Sequence, residues 1–357
     1  MSKKSMSPEI LVEKFDPLKE SDEEWKRFHE YRRKKHMEVN PNDPVSSDAS
    51  VKNSVQQNVQ NPEFGIHLLS IIDKKTNKQV GDALQGLILE ASPSYEGTKH
   101  LIQFDIFLLS SYRRKGIGSR LLKQVYDFAI EHNKTLLVTD SSDEDGKAFL
   151  KAIGAQVALS GVDNRLQLSD VDWDMIESWA KEGPKRSAGT ILDIVQKIPD
   201  EILEEYCKVY TEVTNQQPLG ELDVGAIVFT PDSYRTMEEM FEKMNRTWIT
   251  IIAKEPNGKI SGLTEMRYNP ERKTMISQIL TGVQQDYRGR GIGKWLKAAM
   301  LLYVREKYPE INIVTTGNAT TNKPMLSIND RLGFKVHKET VNAQITVDQL
   351  TNYFNSL

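Results

Sequence analysis

Hydrophobic positions recur along the chain with two spacings. Short apolar runs bounded by turn residues predict β-strands, and apolar residues three and four positions apart predict α-helices. In the first half the clearest helical pattern covers 119–132, whereas 40–55 is rich in Pro, Asn and Ser and indicates a loop or a broken pair of helices. The other elements predicted in this half are strands over 10–15, 65–72, 83–90, 100–109, 136–139 and 154–159 and a helix over 145–153.

The second half repeats this order of elements. It has predicted strands over 248–254, 261–268, 275–283, 311–316 and 334–347, with helices over 294–307 and 324–332. A chain of 357 residues exceeds the usual size of a single core, so two domains are expected. We predict an N-terminal domain over 1–168, an acidic helical linker over 169–217, and a C-terminal domain over 218–357.

Composition limits the class of protein. Hydrophobic residues make up 38% of the chain and charged residues 27%, the net charge is −3, and no basic block is long enough to predict a nucleic-acid groove. No run approaches the ~20 apolar residues of a membrane span, and residues 1–10 lack the apolar centre of a signal peptide. The single cysteine, Cys207, excludes an internal disulfide and a cysteine metal cluster. We therefore expect a cytoplasmic protein that binds no metal, membrane or nucleic acid.

One glycine-rich pattern, R-x-x-G-x-G, occurs once in each half. Its two copies start 175 positions apart, and each lies between a predicted strand and an amphipathic helix. Such a turn presents several backbone N–H groups at a helix N-terminus, which suits a pyrophosphate, and glycine lets the backbone approach it closely. The residues assigned to phosphate binding are Arg113, Arg114, Lys115, Gly116, Ile117 and Gly118 in the first copy, and Arg288, Gly289, Arg290, Gly291, Ile292, Gly293 and Lys294 in the second.

Two other phosphate-binding loops do not fit these residues. A dinucleotide-binding fingerprint needs a third glycine, but Leu121 and Leu296 occupy that position. A nucleotide-triphosphatase loop needs Ser or Thr after its Gly-Lys pair, and Trp295 follows Lys294.

With this pattern the chain resembles the GNAT N-acetyltransferases in their tandem two-domain form, whose R/Q-x-x-G-x-G/A loop holds the pyrophosphate of acetyl-coenzyme A. The resemblance implies an α/β fold of two tandem GNAT-type domains, each a mostly antiparallel twisted sheet flanked by helices. In the second half it runs over about 248–347. There it implies that the strand residues Leu280, Thr281, Gly282 and Val283 contact pantetheine and that Asn318 and Asn322 contact the coenzyme.

The first half resembles the family less closely, over about 65–159. Its loop is intact, but Asp143 stands at the position of the coenzyme-contacting Asn, Leu150 at that of a common tyrosine, and Gly154-Ala155 replaces Gly-Phe. A carboxylate beside a polyanionic coenzyme is unfavourable. We therefore expect catalysis in the C-terminal domain, with the N-terminal loop either binding coenzyme or retained as scaffold.

The resemblance implies direct attack of an amine on the thioester, so an acid and a base are sought. The family's tyrosine position holds Asn329, which could donate a hydrogen bond to sulfur but hardly a proton. The common glutamate base position holds Met275, which leaves Glu265 as the nearest carboxylate. Glu265 is either this base, acting through a water, or an exposed strand residue paired with Arg267 or Lys273. His337 either faces the cleft or lies on the surface.

The sequence therefore predicts an acetyl-coenzyme A-dependent N-acetyltransferase that acts on a primary amine of a small molecule or peptide, as a monomer or homodimer. A non-catalytic acyl-coenzyme A binding or sensing protein is the alternative, since the tyrosine is missing from both halves. Acyl transfer to a protein or an aminoacylated carrier is a third possibility, for which no polyanion-binding face is evident.

Overall fold

The structure is a computed structural model that describes residues 9–356, and the predicted absence of a signal peptide therefore concerns residues that lie almost wholly outside the description. The chain divides into two compact units. The predicted domain bounds at 168 and 217 do not coincide with these units. The first unit comprises the chain up to 140, 145–156 and 343–357, and the second comprises 141–144 and 157–342.

The first repeat begins with a strand and two helices and continues with strands that alternate with helices. The predicted loop over 40–55 contains the start of its second helix, α2. The elements are β1 (Ile10–Phe15), α1 (Asp22–Val39), α2 (Asp48–Val59), β2 (Phe64–Asp73), β3 (Lys78–Ile88), α3 (Tyr95–Thr98), β4 (Leu101–Leu108), α4 (Ile117–Glu131), β5 (Leu136–Ser141), α5 (Glu144–Ala152) and β6 (Gln156–Gln167).

The second repeat follows one additional helix, α6 (Trp173–Arg186), and has the same order. The predicted linker over 169–217 contains α6 and the first strand and helix of this repeat, so it lies within the second unit. The elements are β7 (Ile191–Val195), α7 (Asp200–Asn215), α8 (Pro231–Lys243), β8 (Thr247–Lys254), β9 (Ile260–Tyr268), β10 (Met275–Val283), α9 (Ile292–Lys307), β11 (Ile313–Ala319), α10 (Lys323–Leu332), β12 (Lys335–Thr346) and finally α11 (Val347–Asn355).

Each unit contains a sheet that includes a parallel pair of strands. In the first unit the order is β1-β2-β3-β4-β5, and β4 and β5 are parallel. In the second unit the order is β12-β6-β11-β10-β9-β8-β7, and β10 and β11 are parallel. The predicted fold class of two tandem α/β units is confirmed, and the parallel pairs make the sheets mixed rather than purely antiparallel.

Both glycine loops turn into a helix through a left-handed residue. Gly116 has a φ of 75° and precedes α4, and Gly291 has a φ of 83° and precedes α9. This region of φ favours glycine, because a side chain there meets the following carbonyl. The loops differ two residues earlier, where Arg114 adopts a φ of 58° in the first copy and Gly289 one of 79° in the second.

Helix α6 packs on α9 at a glycine of α6. Gly183 lies inside α6, and a Cβ added to it would come within 2.2 Å of the ring of Trp295 on α9. The indole of Trp295 is 7% exposed, so the ring has little room to move. Gly183 therefore sets how closely α6 approaches the helix that begins at the second glycine loop.

We predict that Gly183→Ala destabilises the protein by about 1–3 kcal/mol, because overpacking against the ring outweighs the better helix propensity of alanine. Thermal and chemical unfolding measure this. Gly293→Ala is the matched control, since its Cβ would meet its nearest neighbour at an ordinary 3.8 Å. Equal stability of the two variants would contradict the close packing.

No helix among residues 9–356 has both the length and the apolar character that a membrane span needs. The same range contains no group of three or more His, Cys, Asp or Glu side chains placed to hold a metal ion.

Candidate active site

A cleft of about 590 Å³ opens in the second unit where β10 ends and α9 begins. Its walls are the end of β10, the second glycine loop, the start of α10 and the segment after α7. Most of the predicted coenzyme-binding residues of this half line it together. They are Thr281, Gly282, Val283, Arg288, Gly289, Gly291, Ile292, Gly293, Lys294 and Asn322.

Three cations line this cleft and no carboxylate does. Two of them, Arg288 and Lys294, were predicted, and the third is Arg186 from the end of α6. The Arg186 guanidinium lies beside the loop, 3.3 Å from the position a Cβ on Gly291 would take. Burial lowers the pKa of Lys294, and the cations Arg331 and Arg186 lower it further. Like charges held together in this way favour an anionic ligand.

An aromatic ring from α6 lies beside the same cations. Trp179 has the Lys294 ammonium 5.6 Å and the Arg331 guanidinium 4.7 Å from its ring. Its indole is half-buried, so part of one face remains accessible. The α6 residues Trp179 and Arg186 were missed by sequence reasoning because they lie more than a hundred positions from the loop they flank.

Arg288 and Arg113, the first residues of the two loops, brace the preceding strand. Arg288 donates from Nε to the Val283 carbonyl at 3.2 Å, and Arg113 donates from Nε to the Leu108 carbonyl at 2.9 Å. The second partner differs, because Arg288 donates to the Gln216 side-chain oxygen and Arg113 to the Asp145 carboxylate at 3.0 Å.

Two other predicted loop cations direct their side chains elsewhere. Arg290 is ion-paired with Glu255 at 2.9 Å and donates to Thr190 Oγ1 at 2.8 Å, and it does not line the cleft. Lys115 in the first copy donates to the Ser111 carbonyl at 2.7 Å. Their side chains stabilise the loops, which leaves the backbone N–H groups as the feature common to both copies.

The end of β10 departs from regular sheet pairing on both of its edges. Opposite β9, one extra residue is inserted between Gln278 and Thr281, a β-bulge that contains the predicted residue Leu280. Opposite β11, β10 pairs only from Met275 to Ser277. Backbone groups beyond Ser277 are therefore not bonded to β11. The β3–β4 pairing of the first unit shows no such shift in register.

Asn322, Asn318 and Asn329 have distinct contacts near this point. Asn322 caps α10, its side-chain oxygen accepting from the Met325 N–H at 3.3 Å. Asn329 is 2% exposed and donates from Nδ2 to Asn318 Oδ1 at 2.7 Å. The Oδ1 of Asn329 accepts from the ammonium of Lys297 on α9 at 2.6 Å. Lys297 was missed, although a lysine on an apolar helical face was its signal.

Glu265 lies in the core between β9 and helices α7 and α8, and its side chain is fully buried. Tyr206 donates to it at 2.7 Å, Tyr210 at 3.0 Å and Tyr234 at 3.1 Å. Burial raises the pKa of the Glu265 carboxyl, although Arg267 and the three hydroxyls oppose the rise. The alternative of an exposed strand residue is wrong. The structure does not place Glu265 on the cleft either, so the geometry does not support its predicted role as base.

The remaining predicted side chains also lie away from the cleft. His337 is exposed on β12, and Met275, at the base position, is a buried core residue. His337 lines neither the cleft nor the pocket beside it.

A second pocket of about 340 Å³ shares Asn322, Gln217 and Pro218 with the cleft. It lies against β6, β11 and β12 and the segment after α7. Asp163 on β6 is the only ionisable side chain among its lining residues, and it is exposed. The predicted residue Asn318 lines the same pocket. Sequence reasoning missed Asp163 because β6 was assigned to the first domain.

The arginine of the first glycine loop lies near two carboxylates, whereas the arginine of the second donates to the amide of Gln216. Glu38 on α1 accepts from the Ser110 N–H at 3.0 Å and lies 4.0 Å from the Arg113 guanidinium. Asp145 forms the ion pair with Arg113 at 3.0 Å. The two carboxylates offset the charge of Arg113, which lowers the attraction of this loop for a phosphate. The first loop still turns into its helix as the second one does. Its other residues with a predicted role are Arg114, Gly116, Ile117 and Gly118.

Comparison with known proteins finds a family match for one part of the chain. Residues 69–155, from β2 to α5, match the model of the Acetyltransferase (GNAT) family. No curated protein sequence matches. The family match thus falls on the first repeat, where the sequence resemblance was the weaker one.

Three solved structures are similar over nearly the whole chain, at identities that show the fold. A tandem GNAT protein from the clavulanic acid biosynthesis pathway is 21% identical with a TM-score of 0.76, over 95% of this chain and 99% of that chain. A GCN5-related N-acetyltransferase from Sphaerobacter thermophilus is 12% identical with a TM-score of 0.65, over 95% and 96%. Saccharomyces cerevisiae N-myristoyltransferase with bound myristoyl-CoA is 11% identical with a TM-score of 0.55, over 94% and 78%.

Residues 69–155 thus match the GNAT acetyltransferase family, and the chain as a whole has the fold of a tandem GNAT protein.

Proposed function

We propose that the second unit carries the active site of an acetyl-coenzyme A-dependent N-acetyltransferase whose acceptor is a primary amine of a small molecule or peptide. The observation that carries this proposal is the cleft at the second glycine loop, which three cations and no carboxylate line. The bulged end of β10 forms its wall. A polyanion and a thioester require these two features side by side.

Different residues of the cleft would bind different parts of the coenzyme. The N–H groups at the start of α9 and the guanidinium of Arg186 would hold phosphate oxygens, since a helix N-terminus and nearby cations favour anions. Backbone groups from Leu280 to Val283 would pair with the pantetheine amides. When bound, the coenzyme supplies an acyl carbon activated as a thioester. N–H groups fixed along the bulge would polarise its carbonyl oxygen.

The second pocket is the proposed place of the acceptor. It adjoins the cleft at Asn322, and its size suits a small molecule or the end of a peptide. The Asp163 carboxylate would attract a cationic amine and accept its proton, because a neutral amine is needed for attack. Asp163 is therefore better placed than Glu265 to serve the acceptor.

The length of the acyl chain needs a direct test, since one similar structure holds myristoyl-coenzyme A. Release of free thiol is measured with acetyl-, octanoyl- and myristoyl-coenzyme A in the presence of a panel of amines. We expect acceptor-dependent thiol release with the acetyl thioester. Tight coenzyme binding with no such release for any amine would instead support a non-catalytic binding or sensing protein.

The two glycine loops provide a matched pair of substitutions. We predict that Gly291→Val abolishes coenzyme A binding in isothermal titration calorimetry, because valine is strained at this φ and crowds Arg186. Gly116→Val imposes the same backbone strain on the first loop and should change binding little. Loss of binding in Gly116→Val alone would place the coenzyme in the first unit.

Arg186 tests the contribution of α6. We predict that Arg186→Gln weakens coenzyme A binding by roughly tenfold, as expected for one charge-assisted contact to a phosphate, and reduces the salt dependence of the affinity. Lys185→Gln is the control, since Lys185 is paired with Glu182 at 2.7 Å and does not line the cleft. Equal affinities of the two variants would remove Arg186 from the site.

Asp163 tests the acceptor pocket. We predict that Asp163→Asn raises KM for a cationic amine about tenfold, lowers kcat and leaves the coenzyme Kd unchanged, because the substitution removes the carboxylate that attracts the amine and accepts its proton. Glu310→Gln removes an exposed carboxylate that lines neither pocket. An unchanged KM in Asp163→Asn would contradict the assignment of this pocket.

A further inference from the structure

Lys297 is a buried lysine whose ammonium is hydrogen-bonded to amides. It lies on α9, is 1% exposed, and donates from Nζ to Gln278 Oε1 at 2.8 Å and to Asn329 Oδ1 at 2.6 Å. A buried charge is costly unless it is paired, so a lysine held only by neutral oxygens costs stability. Such an arrangement favours a functional role over a purely structural one.

The charged surroundings of Lys297 are simple. Burial alone lowers the pKa of Lys297 to about 7, and no charged group adds to the shift. The ring of Phe334 lies 5.5 Å from Nζ. Glu265 and Arg267, the charged residues of β9, are engaged elsewhere: Glu265 by the three tyrosines, and Arg267 over the Trp248 ring at 4.3 Å.

Because an ammonium has donors and no acceptor, it fixes the direction of both amides that it binds. Their oxygens face Lys297, and their N–H groups point away from it. Gln278 donates from Nε2 to Thr264 Oγ1 at 3.0 Å and to Thr281 Oγ1 at 3.2 Å, and Asn329 donates from Nδ2 to Asn318 Oδ1 at 2.7 Å. Thr281 lines the cleft and Asn318 the acceptor pocket. Lys297 thus lies where two hydrogen-bond chains meet, one from each pocket.

We propose that Lys297 is a positioning residue for the departing sulfur: it holds the Gln278 and Asn329 amides with their N–H groups toward the divergence of β10 from β11, and places a positive charge behind them. This inference rests on the proposed function. Where related enzymes have a tyrosine hydroxyl, this chain has an amide backed by a cation.

The chemistry balances without proton transfer from Lys297. The amine nitrogen forms a bond to the acyl carbon, and the carbon–sulfur bond breaks with its electron pair on sulfur. The nitrogen loses one proton and the sulfur gains one through solvent, and the negative charge that develops on sulfur favours the protonated form of Lys297 until then. What Lys297 supplies is stabilisation of the negative sulfur before that proton arrives.

The ionisation of bound coenzyme A thiol tests this separately from turnover. The ultraviolet absorbance of the thiolate is followed across neutral pH in the full chain, in Lys297→Met and in Lys297→Gln. We expect the thiolate fraction at about pH 7 to fall by about tenfold in both variants, the effect of one nearby charge, with coenzyme affinity close to that of the unsubstituted protein. Lys297→Gln retains one N–H donor should Lys297→Met fail to fold.

Lys307→Met is the control, because Lys307 is an exposed cation of the same helix, paired with Glu306 at 2.7 Å. Its thiol titration should match that of the unsubstituted protein. If that protein binds coenzyme A and the thiol ionises alike in all variants, the role of Lys297 is overturned and the proposed function stands. If that protein binds no coenzyme A, both are overturned.

Discussion

The short pairing of β10 with β11 is the constraint on which the rest of the site depends. The two strands run parallel for three residues and then diverge, and β10 continues to Val283 with a bulge opposite β9. Beyond Ser277 the edge of β10 that faces β11 has backbone donors and acceptors without a sheet partner, which a ligand or a side chain can satisfy. The cleft, the second pocket and the network around Lys297 all border this gap.

The two repeats share the same fold and differ in the charged residues around their glycine loops. Both have the parallel pair, the left-handed glycine and the arginine that braces the strand. The first repeat has Glu38 and Asp145 near that arginine, whereas the second has Gln216. Likeness to the family model is greatest in the first repeat, and the geometry suited to a coenzyme is in the second. A family model detects the sequence features of the shared fold, so its match does not decide which repeat is catalytic.

The fold could be predicted from the sequence, and the residues of the candidate site only in part. Strand and helix periods, together with the glycine loops, gave the two tandem units, because these signals are local. β7 was missed because ILDIV is short and is separated by only residues 187–190 from a helix with an internal proline, Pro184. The sequence left Glu265 as either a base or an exposed strand residue, because its burial depends on three tyrosines from α7 and α8 that no local pattern indicates. Arg186 and Asp163 come from segments far from the loops in sequence, so no local pattern indicated them.

The assignment of residues 343–357 to the first unit has a consequence for how the chain acquires its structure during synthesis. Thr351 on α11 lies 2.8 Å from the hydroxyl of Tyr126 on α4, and the Val347 N–H donates to the Thr135 carbonyl at 3.0 Å. These contacts join segments that the ribosome makes more than two hundred residues apart. The first unit therefore cannot be completed until every residue of the second has been synthesised. Although the two halves are repeats of one another, they complete their folding at the end of the same chain.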